Sequence, residues 1–241
     1  MNPTTPPTSA LSPATHLGTC TLVGAGPGDP ELLTIKALKA IQAATVLLVD
    51  DLVSDAIVAH ASPTARIVYV GKRGGCTSTP QAFIEKLMLM AVSEGENVVR
   101  LKGGDPFIFG RGGEEVEHLR EAGIEVQVLN GITSGLAGLT SLGAPLTHRD
   151  HAQSLRFVTA HCKESLDTLD WAALAQRQQT LALYMGVNGL EKIRESLLLA
   201  GMDPQLPFAL VENGSRPQQR VIAGTLAVLP ETARHHHVQS P

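Results

Sequence analysis

A glycine-rich segment, GAGPGD at residues 24–29, carries the first chemical signal in the sequence. It lies between an apolar run and a helical pattern, where glycine lets the backbone approach a ligand closely. Such a loop could bind a dinucleotide, and Asp50 follows at a distance suited to a ribose contact. However, the spacing is not G-x-G-x-x-G, and Pro27 removes a backbone N–H that a phosphate would use. A purely structural turn therefore stays open as an alternative.

A second segment, LKGGDPFIFGRGGEE at residues 101–115, is longer and more unusual. Its five glycines are more than a helix or strand tolerates without loss of stability. Asp105 within it could accept a hydrogen bond from a hydroxyl or ammonium group. The segment therefore predicts a loop shaped around a small ligand.

The composition of the 241-residue chain narrows the class of protein. A hydrophobic content of 43% is typical of a globular protein. The formal net charge of −4 and an aromatic content of only 3% argue against a general nucleic-acid binder. They leave an anionic small molecule possible, because a basic pocket can lie on an acidic protein.

The cysteines and the two ends of the chain predict a reduced, metal-free protein. Cys20, Cys76 and Cys162 are odd in number and far apart, so we expect a cytoplasmic location and no metal site. Residues 1–17 contain no Lys or Arg and no long apolar core, which predicts a disordered tail rather than an export signal. No apolar run is long enough to span a membrane. The triplet His235–His237 is most simply part of a polar tail.

Strands and helices alternate through the first part of the chain. The helical pattern at 30–44 follows the first glycine-rich segment, a second helix is predicted after Thr79 and Pro80, and a third opens near Glu114. This alternation predicts a parallel α/β sheet, with ligands at the loops that follow its strands. The predicted strands are residues 19–23, 45–49, 66–70, 97–101 and 124–129.

A second α/β unit is predicted after a polar connection at 142–153. We therefore expect an N-terminal domain at 18–145, a C-terminal domain at 146–228 and a tail at 229–241, with a cleft between the two domains. The elements predicted in the second unit are strands at 155–160, 180–184, 208–211 and 220–224 and helices at 169–176 and 190–200.

The sequence resembles the uroporphyrinogen-III C-methyltransferases, within the tetrapyrrole methylases. The resemblance extends from about Thr21 to Leu226, and the order and spacing of the motifs agree. Its motifs are GAGPGDPELLT at 24–34, VGKRGG at 70–75, RLKGGDPFIFGRGGEE at 100–115, PLTHRDHAQS at 145–154, YMG at 184–186 and LVENGSRPQQRV at 210–221.

The resemblance implies a fold, a cofactor and a reaction. It implies two α/β domains of the tetrapyrrole methylase type, a homodimer, and S-adenosylmethionine (SAM) bound in the interdomain cleft. It further implies two methyl transfers to ring carbons of uroporphyrinogen III, giving precorrin-2 and S-adenosylhomocysteine. Precorrin-2 is the branch point toward sirohaem and cobalamin, and the sequence does not indicate which branch the protein serves.

The same resemblance implies which residues contact SAM. They come from both glycine-rich segments, from the GITS loop after the fifth strand, and from two motifs of the second domain. Without its motif, Met185 could equally be a core residue. The implied contacts are Pro27, Gly103, Gly104, Asp105, Ile108, Thr133, Ser134, Met185 and Gly214.

Asp50 and Lys72 are the residues to which the resemblance assigns proton handling, Asp50 as acceptor and Lys72 as donor. Because Asp50 ends an apolar strand, we expect its carboxyl to be buried. An alternative role for Asp50 is to cap a helix, and Lys72 could simply bind a carboxylate.

Cations should line the cleft, because the implied substrate is a polycarboxylate. Arginine is preferred for bidentate pairing with carboxylates. The candidates for substrate binding are Arg73, Arg111, His148 and Arg149, with Lys72.

A few residues depart from the family pattern. Asp51 stands beside Asp50 where a cation is usual, Asn130 replaces a usual proline, and Ser134 replaces a frequent alanine. Three alternatives stay open: another precorrin methyltransferase, a tetrapyrrole binder without activity, which only the Asp51 change favours, and an NAD-dependent oxidoreductase, which the glycine spacing disfavours.

Overall fold

In the computed structural model, the first unit is a parallel sheet with helices on both faces, as predicted. The structure describes residues 17–71, 79–161 and 166–240. The strands lie in the order β3-β2-β4-β1-β5, and every pairing is parallel. The strands are β1 (Thr19–Gly24), β2 (Val46–Val49), β3 (Arg66–Tyr69), β4 (Asn97–Lys102) and β5 (Val126–Leu129), and the helices are α1 (Ile35–Ala43), α2 (Asp55–Val58), α3 (Gln81–Ser93), α4 (Gly112–Glu121) and α5 (Ser134–Thr140).

The central strands β1, β2 and β4 lie in the interior, whereas the edge strand β3 is largely exposed. All four residues of β2 are buried, as expected for a parallel strand covered on both faces. Helices α3 and α4 pack on one face, where Leu22 and Met88 are fully buried, and α1 and α2 pack on the other, around Ile41. Each such side chain contributes about 1.5–3 kcal/mol by leaving water.

Two helices begin later than the sequence pattern predicted. The pattern at 30–44 splits into a 3-10 turn, Pro30–Leu32, and helix α1. Thr34 separates them, because its hydroxyl accepts a hydrogen bond from the backbone N–H of Ala37 and caps α1. Pro80, which was expected to be the first helical residue, instead precedes α3 as its cap.

The C-terminal unit contains two small sheets among the residues that the structure describes. One pairs β6 and β7 in parallel, and the other pairs β8 and β9 antiparallel. Their helices enclose a separate core around Ile193 and Leu197. The elements are β6 (Ser154–Thr159), β7 (Gln179–Tyr184), β8 (Pro207–Glu212), β9 (Arg220–Thr225), α6 (Trp171–Leu174), α7 (Leu190–Leu199) and α8 (Leu229–His235).

The prediction that residues 229–241 form a tail was wrong. Helix α8 spans Leu229–His235, and Leu229 and Ala233 are buried in the core of the C-terminal unit. These residues lie four apart and so share one helix face. The tail was predicted at residues 1–17, of which 1–16 lie outside the described residues, and the domain boundary at 145 stays a prediction. No helix in the described ranges is long and apolar enough to cross a membrane.

The thiol of Cys20 gives the fold a testable pH dependence. Cys20 is a free cysteine of β1, and the pKa of its thiol is raised from 9.0 to about 12, first by burial and then by the nearby carboxylate of Glu115, with the cation of Arg100 opposing the shift. The unfolded chain therefore loses this proton at lower pH than the folded chain. The contribution to stability is complete below pH 9.0 and disappears as pH rises toward 12.

We expect a Cys76→Ser/Cys162→Ser variant to lose stability over this range more steeply than the same variant with Cys20→Ala. Urea unfolding midpoints measured from about pH 8 to about pH 10 test this difference. Parallel curves for the two proteins would contradict the assignment.

Candidate active site

Three loops meet in backbone contact at the carboxyl edge of the first sheet. They follow β1, β4 and β5, and each contributes a glycine to the contact: Gly24, Gly104 and Gly131. A Cβ built on Gly131 would lie 2.2 Å from the Gly104 carbonyl oxygen, and one on Gly24 would lie 2.4 Å from the Gly131 nitrogen. Gly26 and Gly104 also exchange two backbone hydrogen bonds, of 3.1 and 2.7 Å. Only glycine permits this close approach, which explains one glycine in each glycine-rich segment, Gly24 and Gly104.

The carboxylate of Asp105 organises these loops. It is buried, and one oxygen accepts a hydrogen bond from the backbone N–H of Phe107 at 2.9 Å. The other oxygen accepts from the Asn130 side chain at 3.1 Å and from the backbone N–H of Gly131 at 3.2 Å. Asn130, one of the departures from the family pattern, thus ties the loop after β5 to the loop after β4.

Asp50 lies where β2 ends and is only partly buried. Its side chain is 34% exposed, so the carboxyl is less buried than expected. One oxygen accepts a hydrogen bond from the backbone N–H of Asp51 at 3.1 Å. The other lies 3.3 Å from Nη2 of Arg100 and 3.9 Å from Nζ of Lys102. The exposed edge of Asp50 can meet a ligand while its inner edge faces two cations.

A cluster of buried charged side chains lies on the inner side of Asp50. Arg100 and Lys102 lie on β4 with side chains 2% and 4% exposed, and both pair at 3.0 Å with Glu115 of α4, which is fully buried. Burial lowers the pKa of Lys102, with Arg100 as the second cause, while Glu115 and Asp50 oppose the shift. Sequence reasoning missed this cluster, although charged residues at alternate positions of a buried strand are a readable signal.

Tyr184, at the end of β7, connects the C-terminal unit to the loop after β5. Its hydroxyl lies 2.6 Å from Oγ1 of Thr133 and accepts a hydrogen bond from the backbone N–H of Gly135 at 2.8 Å. Its ring packs edge-on against Phe109, with ring centroids 5.1 Å apart. The hydroxyl thus fixes the start of α5 against the second unit.

Arg216 forms another connection between the units. Its side chain lies across Gly28 and donates hydrogen bonds to the carbonyl oxygens of Pro27 and Leu52. Beside it, Ser215 accepts a hydrogen bond from the backbone N–H of Asp29 at 3.3 Å. A cavity of about 710 Å³ opens here, between residues 28–30, 51–56 and 215–218.

The residues expected to contact SAM lie around these connections. Pro27 is held by Arg216, Gly103 lies against Leu52, and the backbone N–H of Ile108 donates to the Asp105 carbonyl oxygen. From the second unit, Met185 follows Tyr184 with a left-handed backbone and a 44% exposed side chain, and Gly214 packs near Gly138 of α5. Thr133 and Ser134 lie at the start of α5.

The residues expected to bind substrate are less closely grouped. Arg111 is exposed at the start of α4, where it pairs with Glu114 at 2.5 Å. His148 and Arg149 lie in an exposed turn before β6, in which the His148 ring stacks on His151 with centroids 4.7 Å apart. No hydrogen bond or ion pair joins Arg111 to this turn in the described part of the chain. Lys72 and Arg73 lie outside the described residues.

Gly135 should be essential to the contact between the units. A Cβ at this position would lie 2.4 Å from the Tyr184 hydroxyl and 2.9 Å from Phe157. We expect Gly135→Ala to lower the free energy of unfolding by about 1–3 kcal/mol through overpacking. Gly113→Ala is the matched control, because Gly113 is also near the start of a helix and nothing lies within 4 Å of its added Cβ. Equal effects of the two substitutions in urea unfolding would contradict the role of Gly135.

The fold and the contacts made by Tyr184 and Arg216 define an α/β protein of two units that meet at the glycine loops. Residues 19–230 match the family of tetrapyrrole (corrin/porphyrin) methylases. The chain belongs to this family.

Individual relatives agree with the family match. The chain is 51% identical over 220 residues to a uroporphyrinogen-III C-methyltransferase of Pseudomonas aeruginosa, covering 91% of this chain and 89% of that protein. It is 54% identical over 232 residues to the siroheme synthase of Xylella fastidiosa, covering 96% of this chain and 49% of that protein. The chain thus spans about half the length of the siroheme synthases that it matches.

A solved structure gives the same result. The crystal structure of a uroporphyrin-III C-methyltransferase from Thermus thermophilus, complexed with S-adenosylhomocysteine, superposes with a TM-score of 0.77 at 39% identity. The superposition covers 93% of this chain and 89% of that chain.

Proposed function

We propose that this protein transfers methyl groups from SAM to two ring carbons of uroporphyrinogen III, giving precorrin-2. The observation that carries the proposal is the meeting of three glycine loops beneath Tyr184 and Arg216 of the second unit. This arrangement lies in the segments that align with a uroporphyrinogen-III C-methyltransferase at 51% identity.

The three glycine loops and the residues beside them suit the chemistry of SAM. Gly26 and Gly104 adopt positive φ angles of 71° and 67°, which allow the tight turns of these loops. Ile108 and Met185 offer apolar surface, and the missing N–H of Pro27 is no disadvantage because SAM carries no phosphate. When bound, SAM supplies a methyl group that is already activated on a sulfonium centre.

The residues proposed to hold SAM extend beyond these. Gly103 and Gly104 would contact SAM through their backbone. Thr133 and Ser134 would contact it from the start of α5, and Gly214 from the second unit. We assign the Asp105 carboxylate to the shape of the loop, because it already accepts three hydrogen bonds from the protein.

Proton handling falls to Asp50 in this proposal. Each methyl transfer from the SAM cation must be balanced by the loss of one proton from the tetrapyrrole, and a carboxylate can accept that proton within hydrogen-bond reach. The exposed edge of Asp50 faces away from Arg100 and Lys102 and is free to approach the substrate. Lys72, proposed as the donor, comes shortly after β3, the strand next to β2 in the sheet.

Carboxylates of the substrate are proposed to bind Arg111, His148 and Arg149, together with Lys72 and Arg73. Arg111 would exchange its partner Glu114 for a substrate carboxylate. The exchange costs little, because both side chains are more than half exposed and surface ion pairs are weak.

The stoichiometry of the reaction tests the proposal. In an anaerobic incubation, two molecules of S-adenosylhomocysteine should form for each uroporphyrinogen III consumed, and none without that substrate. Release of a single molecule would favour another precorrin methyltransferase. Binding of NADH instead of SAM in calorimetric titrations would favour the oxidoreductase alternative.

We also propose that the protein works as a cytoplasmic homodimer, with an N-terminal domain at 18–145 and a C-terminal domain that begins at 146 and includes helix α8. Phe107, Leu136 and Leu142 are between 40% and 54% exposed and are suited to an apolar subunit contact. Light scattering in solution should give twice the mass of one chain, and the mass of one chain would exclude the dimer.

A further inference from the structure

We propose that Lys102 is a positioning residue of this reaction: held by Glu115, its buried ammonium group attracts the Asp50 carboxylate across 3.9 Å, beside the closer pair with Arg100 at 3.3 Å, and offsets the negative charge that a polycarboxylate substrate brings to the site. The role of Lys102 in the reaction rests on the proposed function, whereas its contacts with Glu115 and Asp50 do not depend on that proposal.

Strand register places Lys102 and Asp50 together. Leu48 of β2 lies opposite Arg100 of β4, and Val49 lies opposite Leu101. The backbone N–H of Asp50 extends this ladder by donating to the Leu101 carbonyl oxygen at 3.0 Å. Since side chains alternate along a strand, Asp50, Arg100 and Lys102 project on one face of the sheet.

Glu115 holds the ammonium group in place from the opposite side. One oxygen of Glu115 accepts from Nε of Arg100 at 3.0 Å and from the Gln81 side chain at 3.2 Å, and the other lies 3.0 Å from Nζ of Lys102. The Lys102 side chain is 4% exposed, so water cannot replace these contacts. Asp50 and Glu115 are the two carboxylates within 4 Å of its ammonium group in the described residues.

Such a cluster is costly for a structural role alone. Burying charges removes their hydration, and apolar residues of similar volume are often as stable or more stable at such positions. The cluster nevertheless lies at the sheet edge where the ligand loops meet, directly beneath Asp50. A requirement for positive charge beside Asp50 explains why the cluster is kept despite the cost of desolvating its charges. It also explains why the cluster lies at this edge of the sheet.

The charges around Lys102 come from every neighbouring element. Arg100 lies on the same strand, Glu115 and the more distant Glu114 on α4, and Asp50 after β2. Helix α3 presents the neutral side chain of Gln81. The positive charges of Lys102 and Arg100 equal in number the negative charges of Glu115 and Asp50. Removing the charge of Lys102 therefore leaves a net negative charge beside Asp50.

The first test is Lys102→Met in the methyl-transfer assay. We expect kcat to fall roughly tenfold or more, with the KM for SAM unchanged, because the substitution acts at Asp50 and not at the cofactor loops. The acid limb of the pH profile should move to higher pH, since loss of a neighbouring cation favours the protonated carboxyl. Lys192→Met, which removes an exposed lysine paired with Asp167 at 3.2 Å, is the matched control and should retain the parent kcat.

A charge-balanced double variant separates positioning from stability. Lys102→Met/Glu115→Gln removes one charge of each sign and keeps the pair between Arg100 and Asp50. We expect it to unfold at a higher urea concentration than Glu115→Gln alone and yet to keep the low kcat of Lys102→Met. Recovery of kcat together with stability would overturn the proposal, as would a parent kcat in Lys102→Met.

A readout without turnover keeps the inference distinct from the proposed function. The carboxyl carbon of Asp50 can be titrated by NMR in the parent protein and in Lys102→Met. A higher midpoint in the variant supports the positioning role even if uroporphyrinogen III is not methylated. Identical midpoints would overturn it even if the parent protein is active.

Discussion

Replacing Asp50 by asparagine is expected to lower kcat for methyl transfer by about 10²- to 10⁴-fold, the usual contribution of a general base. Asparagine keeps the shape of the side chain but cannot accept the ring proton. The glycine loops proposed to hold SAM do not depend on this carboxyl, so the affinity for SAM should be unchanged. Steady-state kinetics together with calorimetry of SAM binding measure the two effects separately.

Asp167→Asn provides the matched control for this substitution. Asp167 also forms an ion pair, with Lys192, but it is 52% exposed in the C-terminal unit, away from the glycine loops. It should retain the parent kcat. If Asp50→Asn also retains it, Asp50 is not the proton acceptor.

The largest expected effect on stability comes from Glu115→Gln. The substitution leaves the cations of Arg100 and Lys102 buried beside each other, with only the partly exposed Asp50 to balance them. Removing one member of a buried ionic cluster typically costs about 3–5 kcal/mol, because a charge stays buried without compensation. The urea unfolding midpoint should therefore fall strongly, with an unchanged dependence on denaturant.

The neighbouring residue provides the control. Glu114→Gln removes a carboxylate from the same turn of α4, but that side chain is exposed and pairs with Arg111 in solvent. Its unfolding midpoint should match that of the parent within error. Equal losses for Glu114→Gln and Glu115→Gln would show that burial of the cluster does not determine the effect.

The sequence allowed most elements of the fold to be predicted because their signals are local. Continuous apolar runs such as Val46–Val49 predicted the strands, and the apolar face around Ile84 and Met88 predicted α3. The C-terminal helix was missed because its length is short and only Leu229, Pro230 and Ala233 are buried. The strand order was not predicted, since it depends on contacts between distant segments.

Those parts of the candidate site that lie in sequence motifs could be predicted from the sequence. The glycine loops and Asp50 lie at the ends of recognisable strands, and the structure brings the loops into contact. The hydrogen bonds of Tyr184 and Arg216 were not predictable, because their partners lie 51 and 189 residues away in the chain. The partners of Lys102 depend likewise on the register between β2 and β4 and on the placement of α4.

The mass of the product tests the central claim most directly. The protein would be incubated without oxygen with uroporphyrinogen III and SAM that carries a trideuterated methyl group, and the product would be oxidised and analysed by mass spectrometry. The account predicts a product that carries two trideuterated methyl groups. A product with one such group, or none although SAM binds, would contradict the proposed conversion to precorrin-2.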